Sequence, residues 1–187
     1  MKKLVLPLLI LGFIFASCQK EEVSSLTELD GVASKVKIEQ EKSEDESCSE
    51  DGKCETAFGR YCDCASLNKC FSDFGFNRWG WSVELDKPGE YDFGFYAGAG
   101  QCDLSKGTPV GGVKVIFKDD GTVSVDDFYM KDGFVLKEFH FYAGDTEVPI
   151  GKNGKFTVAP GQYYNEGDTD GDGKVYVILH SVVCGDY

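Results

Sequence analysis

The polarity of the chain changes twice, and each change marks a boundary. Lys2 and Lys3 precede an apolar run over residues 4–15, followed by the small pair Ala16-Ser17. The run falls well short of the roughly 20 apolar residues that span a bilayer, so it reads as a leader peptide, residues 1–17, removed before Cys18. Residues 19–53 are then rich in Glu, Lys, Ser and Asp and contain no aromatic side chain. Such a stretch buries too little apolar surface to offset the entropy of ordering, which predicts a disordered acidic stalk over 18–53.

From Glu55 onward the texture becomes aromatic, valine-rich and glycine-punctuated, and short alternating runs predict strands near 79–85, 91–96, 112–117, 122–125, 135–142, 155–158 and 175–183. Asp86-Lys87-Pro88-Gly89, Lys118-Asp119-Asp120-Gly121 and Gly151-Lys152-Asn153-Gly154 supply turn chemistry between them. Helical periodicity is missing throughout, so residues 54–187 are expected to form an all-β domain, an antiparallel β-sandwich of two sheets. An internal echo fits this expectation: Phe93-Gly94-Phe95-Tyr96-Ala97-Gly98 returns as Phe139-His140-Phe141-Tyr142-Ala143-Gly144. Pro109-Val110-Gly111 likewise returns as Pro149-Ile150-Gly151, and chance similarity between aromatic strands is the competing explanation.

Charge narrows the partners. With 19 basic and 32 acidic residues the chain carries a formal charge of −13, a surface that repels phosphate backbones and argues against nucleic acid. Divalent cations, basic proteins and neutral glycans stay open, as does simple solubility.

The chain has eight cysteines. Apart from Cys18 they are Cys48, Cys54, Cys62, Cys64, Cys70, Cys102 and Cys184, and in an exported protein they point first to disulfides. These seven are an odd number, so at least one thiol is left over or pairs with another chain. Cys70 and Cys102 flank the first hairpin region and are the preferred pair; Cys184 is expected to tie the last strand to the 54–64 segment, with Cys54 the candidate. No histidine and no Cys-x-x-Cys spacing supports zinc in the cysteine cluster.

Two short motifs carry resemblances. Phe15-Ala16-Ser17-Cys18 resembles the lipobox of bacterial lipoproteins, which implies acylation of Cys18 and anchorage in outer-membrane lipid. Gln19, Lys20, Glu21 and Glu22 resemble the export signal of Bacteroidota surface lipoproteins, which implies a lipid-anchored position on the outer leaflet, exposed at the cell surface. The segments around Glu55-Thr56-Ala57-Phe58-Gly59, Cys70-Phe71, Phe76-Asn77-Arg78-Trp79-Gly80-Trp81, Tyr96 to Asp103 and Ala159-Pro160-Gly161-Gln162-Tyr163 look like a module of marine and flavobacterial extracellular proteins. That likeness implies an extracellular β domain and assigns no activity.

The sharpest local signal for chemistry is Asp168-Thr169-Asp170-Gly171-Asp172-Gly173-Lys174. Alternate carboxylates before a turn-forming glycine can converge on one hard cation, with the Lys174 carbonyl as a fourth ligand. The run resembles the first half of an EF-hand loop and dockerin-type calcium loops, which implies calcium. It departs from them at the twelfth position, Leu179 in place of Glu, and in the strand-like stretch that follows. A site would therefore need another carboxylate, for example Glu166 or Asp186, and an acidic turn without metal is the alternative.

Arg78, Trp79 and Trp81 are the candidates for ligand contact. Residues two apart share a strand face, so the indoles form either an exposed platform for a sugar ring or protein, or part of the core with Arg78 at its edge. Enzyme signatures are thin: His140 and His180 lie in strand patterns without a nucleophile elbow, and no carboxylate pair stands out. Gly98-Ala99-Gly100-Gln101 lacks the helix and lysine of a phosphate loop. The expectation is a cell-surface, non-enzymatic binding or adhesion module for a glycan or protein, possible calcium included; the alternative is a carboxylate-based glycan-active enzyme or an accessory subunit of a surface assembly.

Overall fold

In a computed structural model of the chain, the described residues are 52–62 and 65–187, together with the backbone of a two-residue strand, β1 (Lys35–Val36). The leader, Cys18, the Gln19 to Glu22 motif, Cys48 and Cys64 lie outside them. The remaining strands are β2 (Lys53–Tyr61), β3 (Asn68–Cys70), β4 (Trp81–Leu85), β5 (Gly89–Ala97), β6 (Thr108–Phe117), β7 (Val123–Met130), β8 (Phe134–Gly144) and β9 (Val175–Gly185). Helical structure is confined to short 3-10 turns, so the domain is all-β. No helix among the described residues is long and apolar enough to cross a membrane.

One antiparallel hydrogen-bonded network joins the strands in the order β1-β8-β9-β2-β5-β6-β7, with β3 on β4 and β4 on the first residues of β9. The sandwich is therefore one sheet folded over itself, where two separate sheets were expected. Its continuity comes from β2, whose Ala57 and Phe58 pair with Ala97 and Tyr96 of β5 on one side and with Ser181 and His180 of β9 on the other. Register shifts at Phe95/Tyr96, Gly112/Lys114 and Leu136/Glu138 supply the bends. Folding brings strands far apart in the order face to face: Phe139 of β8 meets Phe95 of β5 at 6.2 Å and Phe128 of β7 at 4.9 Å between ring centroids, both edge-on.

The core is aromatic and β-branched, with Phe93, Phe95, Phe117, Phe139, Val177 and Leu179 all essentially inaccessible. Each such side chain contributes roughly 1.5–3 kcal/mol by leaving water. The aromatic echo thus has a packing meaning: Phe95 and Phe139 belong to the two copies and touch each other across the fold.

Two disulfides brace the sheet. Cys54 and Cys184 are direct register partners on β2 and β9, and Cys70 joins Cys102. Cys62 is exposed and unbridged among the described residues.

The boundaries shift in four places. Strand structure begins at Lys53, inside the segment read as stalk, and Lys35–Val36 of that segment pair with Phe139 and His140 of β8. β2 went unrecognised because its buried stretch, Ala57 to Gly59, lacks both alternation and the β-branched residues that mark the equally buried β9. Residues 155–158 are not a strand, holding only an isolated bridge from Phe156 to Ile150. Trp79 precedes β4 and is not part of it.

Candidate functional site

Residues 145–174 cross between β8 and β9 and carry most of the candidate chemistry. Their acidic end is built from side-chain caps on backbone amides. Asp168 accepts from Gly171 N at 2.7 Å through Oδ1 and from Gly173 N at 2.9 Å through Oδ2. Asp170 accepts from Asp172 N at 3.0 Å, and Asp172 from Lys174 N at 2.8 Å. Gly171 and Gly173 adopt φ of 75° and 80°, a conformation that strains any other residue. The loop also docks on the β6–β7 turn, Asp168 N donating to Gly121 O at 2.9 Å.

The carboxylates that converge are Asp145, Asp168 and Asp170, each offering an oxygen within 4.8 Å of the others. Of the sequence-based set, Asp168 and Asp170 belong to this group and Asp145 is the further carboxylate beside them; Asp172, Glu166 and Asp186 are not part of it. Asp145 comes from the end of β8, where the pairing of Gly144 with Tyr176 sets it beside the loop, and it binds Thr169 through both oxygens. Burial, reinforced by the Asp145 charge, pushes the Glu166 carboxyl above its usual range. Three carboxylates are a donor set for a hard cation.

The same segment forms one wall of an aromatic groove. Phe156, 61% exposed, faces Phe74 and Phe76 from the stretch between β3 and β4. The groove has two adjoining lobes of about 350 Å³ each, a size that suits a small ring-shaped ligand. One lobe adds Asn77, Arg78, Thr157, Val158 and Ala159; the other adds Thr146, Glu147 and Val148.

Both walls are held from below. Phe71 is wholly buried, starts a 3-10 turn (Phe71–Phe74) and receives Phe76 N on its carbonyl at 3.2 Å, and its neighbour Cys70 is tied to Cys102. Gly80 lets this stretch lie flat, because a Cβ there would come within 2.4 Å of the Phe71 ring. Opposite, Tyr163 is buried and donates its hydroxyl to Val158 O at 3.1 Å; burial pushes this phenol far up, with Arg78 opposing. Glu147 is bound by Lys69, an ion pair that raises the Lys69 ammonium, and its carbonyl accepts from Ser82.

The two charged groups of the groove differ. Glu147 is neutralised by Lys69, whereas no carboxylate among the described residues pairs with the exposed Arg78.

Trp79 and Trp81 are not an exposed platform. Trp81 is buried and Trp79 packs on the core, in an edge-to-face chain running from Phe58 through Trp79 and Trp81 to Tyr96. Of the three predicted contact residues, Arg78 alone stands at the groove. Phe74, Phe76 and Phe156 were missed, although the aromatic content of 71–76 and an isolated Phe in a turn-rich stretch were visible signals.

His140 and His180 face each other across β8 and β9 with ring centroids 5.4 Å apart, and both are buried. Burial, with a smaller push from His140, lowers His180 to about 4. Among the described residues its buried Nδ1 has no hydrogen-bond partner.

Together these features define a disulfide-braced all-β domain with an aromatic groove and an adjoining carboxylate cluster. No protein-family model, curated protein or solved structure matches the chain.

Proposed function

We propose that this chain is a lipoprotein anchored through acylated Cys18 at the cell surface, whose β-sandwich is a non-enzymatic binding module for an extracellular glycan. The Phe74, Phe76 and Phe156 groove is the contact surface in this reading. The observation that carries it is Phe156: a large apolar ring left exposed on a braced segment, opposite two other phenylalanines and beside polar groups. Apolar rings gathered from separate elements next to a few polar groups are the usual lining of a small-ligand site.

Calcium, held by Asp145, Asp168 and Asp170, would fix the acidic end of the same segment and so steady the groove wall that Phe156 belongs to. At extracellular millimolar levels even a weak site fills.

The test is a glycan array probed with soluble chain 19–187, which contains every strand described, next to its Phe156→Ala variant. Binding that disappears in the variant while near-ultraviolet circular dichroism stays unchanged supports the reading; an array blank for the parent chain counts against it. For calcium, thermal unfolding in 2–5 mM calcium against chelator should show a shift of several degrees that Asp168→Asn removes. Release of the domain by protease from intact cells, before lysis, checks the address.

A further inference from the structure

We infer that the groove takes a carboxylated sugar, a uronate unit of a glycan, with Arg78 binding the carboxylate. The inference rests on the binding-module reading and names the ligand class for that site.

A pyranose ring has a face of C–H bonds and an edge of polar substituents. The groove mirrors this arrangement. Phe76 and Phe156 line both lobes and Phe74 lines the second, and the negative faces of such rings attract the positive ends of C–H bonds. The groove's rim carries the Asn77 amide, the Thr157 hydroxyl and the Arg78 guanidinium, all in one lobe. Thr157 Oγ1 accepts from Ala159 N at 3.1 Å, so its hydroxyl proton is free to donate outward.

Charge then selects among sugars. Within a protein of net charge −13, this lobe carries a positive group with no carboxylate of the described residues beside it, while the carboxylate of the neighbouring lobe is already matched by Lys69. The local complement to phenyl surface with one unmatched guanidinium is a ring bearing one anionic group. A carboxylate suits the planar fork of Arg best, since two parallel N–H···O bonds form at once. The acidic surface elsewhere repels densely charged polyanions, sulfated glycans included, whose charge exceeds the one group per ring that Arg78 can match, over a screening distance of about 8–10 Å.

The experiment measures binding of chain 19–187 to oligogalacturonate and to the same oligomer as its methyl ester, which keeps the rings and removes the charge. Dextran sulfate is the third probe. The free acid is expected to bind at least tenfold more tightly than the ester. Arg78→Ala should bring the acid down to the level of the ester, and Arg78→Lys should restore part of the difference. Equal binding of acid and ester, a preference that survives Arg78→Ala, or dextran sulfate binding as well as the acid would each overturn the inference. Phe156→Ala separates the two levels of the argument. If it abolishes ester binding but no acid preference exists, only the ligand class fails; if it changes nothing, the groove itself is misassigned.

Discussion

The sheet and the segment that crosses from β8 to β9 are ordered by different forces. In the sheet, position is set by burial: Phe139 touches Phe95, Phe128 and Phe141 and has nowhere else to go. In residues 145–174 only Val148, Val158 and Tyr163 enter the core, and the stretches between these anchors are placed by polar pairings made one at a time. Tyr142 donates its hydroxyl to Thr146 O at 2.7 Å, Thr146 to Val148 O at 2.8 Å, and Asn165 Nδ2 to Val123 O at 2.7 Å. Ile150 N reaches Tyr164 OH at 3.3 Å and Lys152 N reaches Gln162 Oε1 at 3.2 Å. Each such bond nets about 1 kcal/mol, so no single one holds the segment. The difference teaches how a rigid scaffold can carry exposed chemistry: the side chains freed from packing duty, Phe156 and the aspartates, are those left to meet a ligand.

Substitutions in the two regions should differ sharply. Phe139→Ala is expected to cost about 3–5 kcal/mol in urea unfolding, the largest effect, through the cavity it leaves. Removing the Cys70–Cys102 bridge with paired serines should cost about 2–4 kcal/mol and also weaken ligand binding, since this bridge sits beside the Phe71–Phe74 wall. A loss of stability without any loss of binding would show that the wall is held by packing alone.

The pH dependence of the sheet should be dominated by His180. Its folded value lies near 4 against 6.5 when free, so between those values the unfolded chain binds the extra proton. Stability is therefore complete above about pH 6.5 and declines as the pH falls toward 4, by up to about 3 kcal/mol. His180→Leu should flatten that part of the curve relative to the parent protein; an unchanged slope would mean that the imidazole takes up its proton as readily in the fold as in the unfolded chain. The smallest effect is expected for Phe156→Ala, within about 0.5 kcal/mol in stability, and a larger destabilisation would remove the contrast between scaffold and segment.

What could be read from sequence follows the same division. Apolar and β-branched runs between turn signals placed β4, β5, β8 and β9 within a few residues and caught β6 and β7 in part; the two bridges match the preferred cysteine pairs, although spacing alone left the connectivity open. β2 was hidden because its buried stretch, Ala57 to Gly59, lacks the β-branched residues that mark the equally buried β9. The acidic loop was legible as a motif, but Asp145 was not: it lies far from Asp168 in the chain and reaches it only through the β8–β9 register. The groove was harder still, since Phe76 and Phe156 meet through tertiary structure alone and the more conspicuous tryptophans went to the core.

The Cys54–Cys184 bridge has a mechanical consequence. It spans 130 positions of sequence and encloses β3 through β8 completely. A pull applied between residue 52 and Tyr187 is carried across the bond from one central strand to the next, and only the few residues outside the loop can pay out. The domain should behave under tension as an inextensible link, with a rupture length close to zero in single-molecule stretching until a reductant opens the bond.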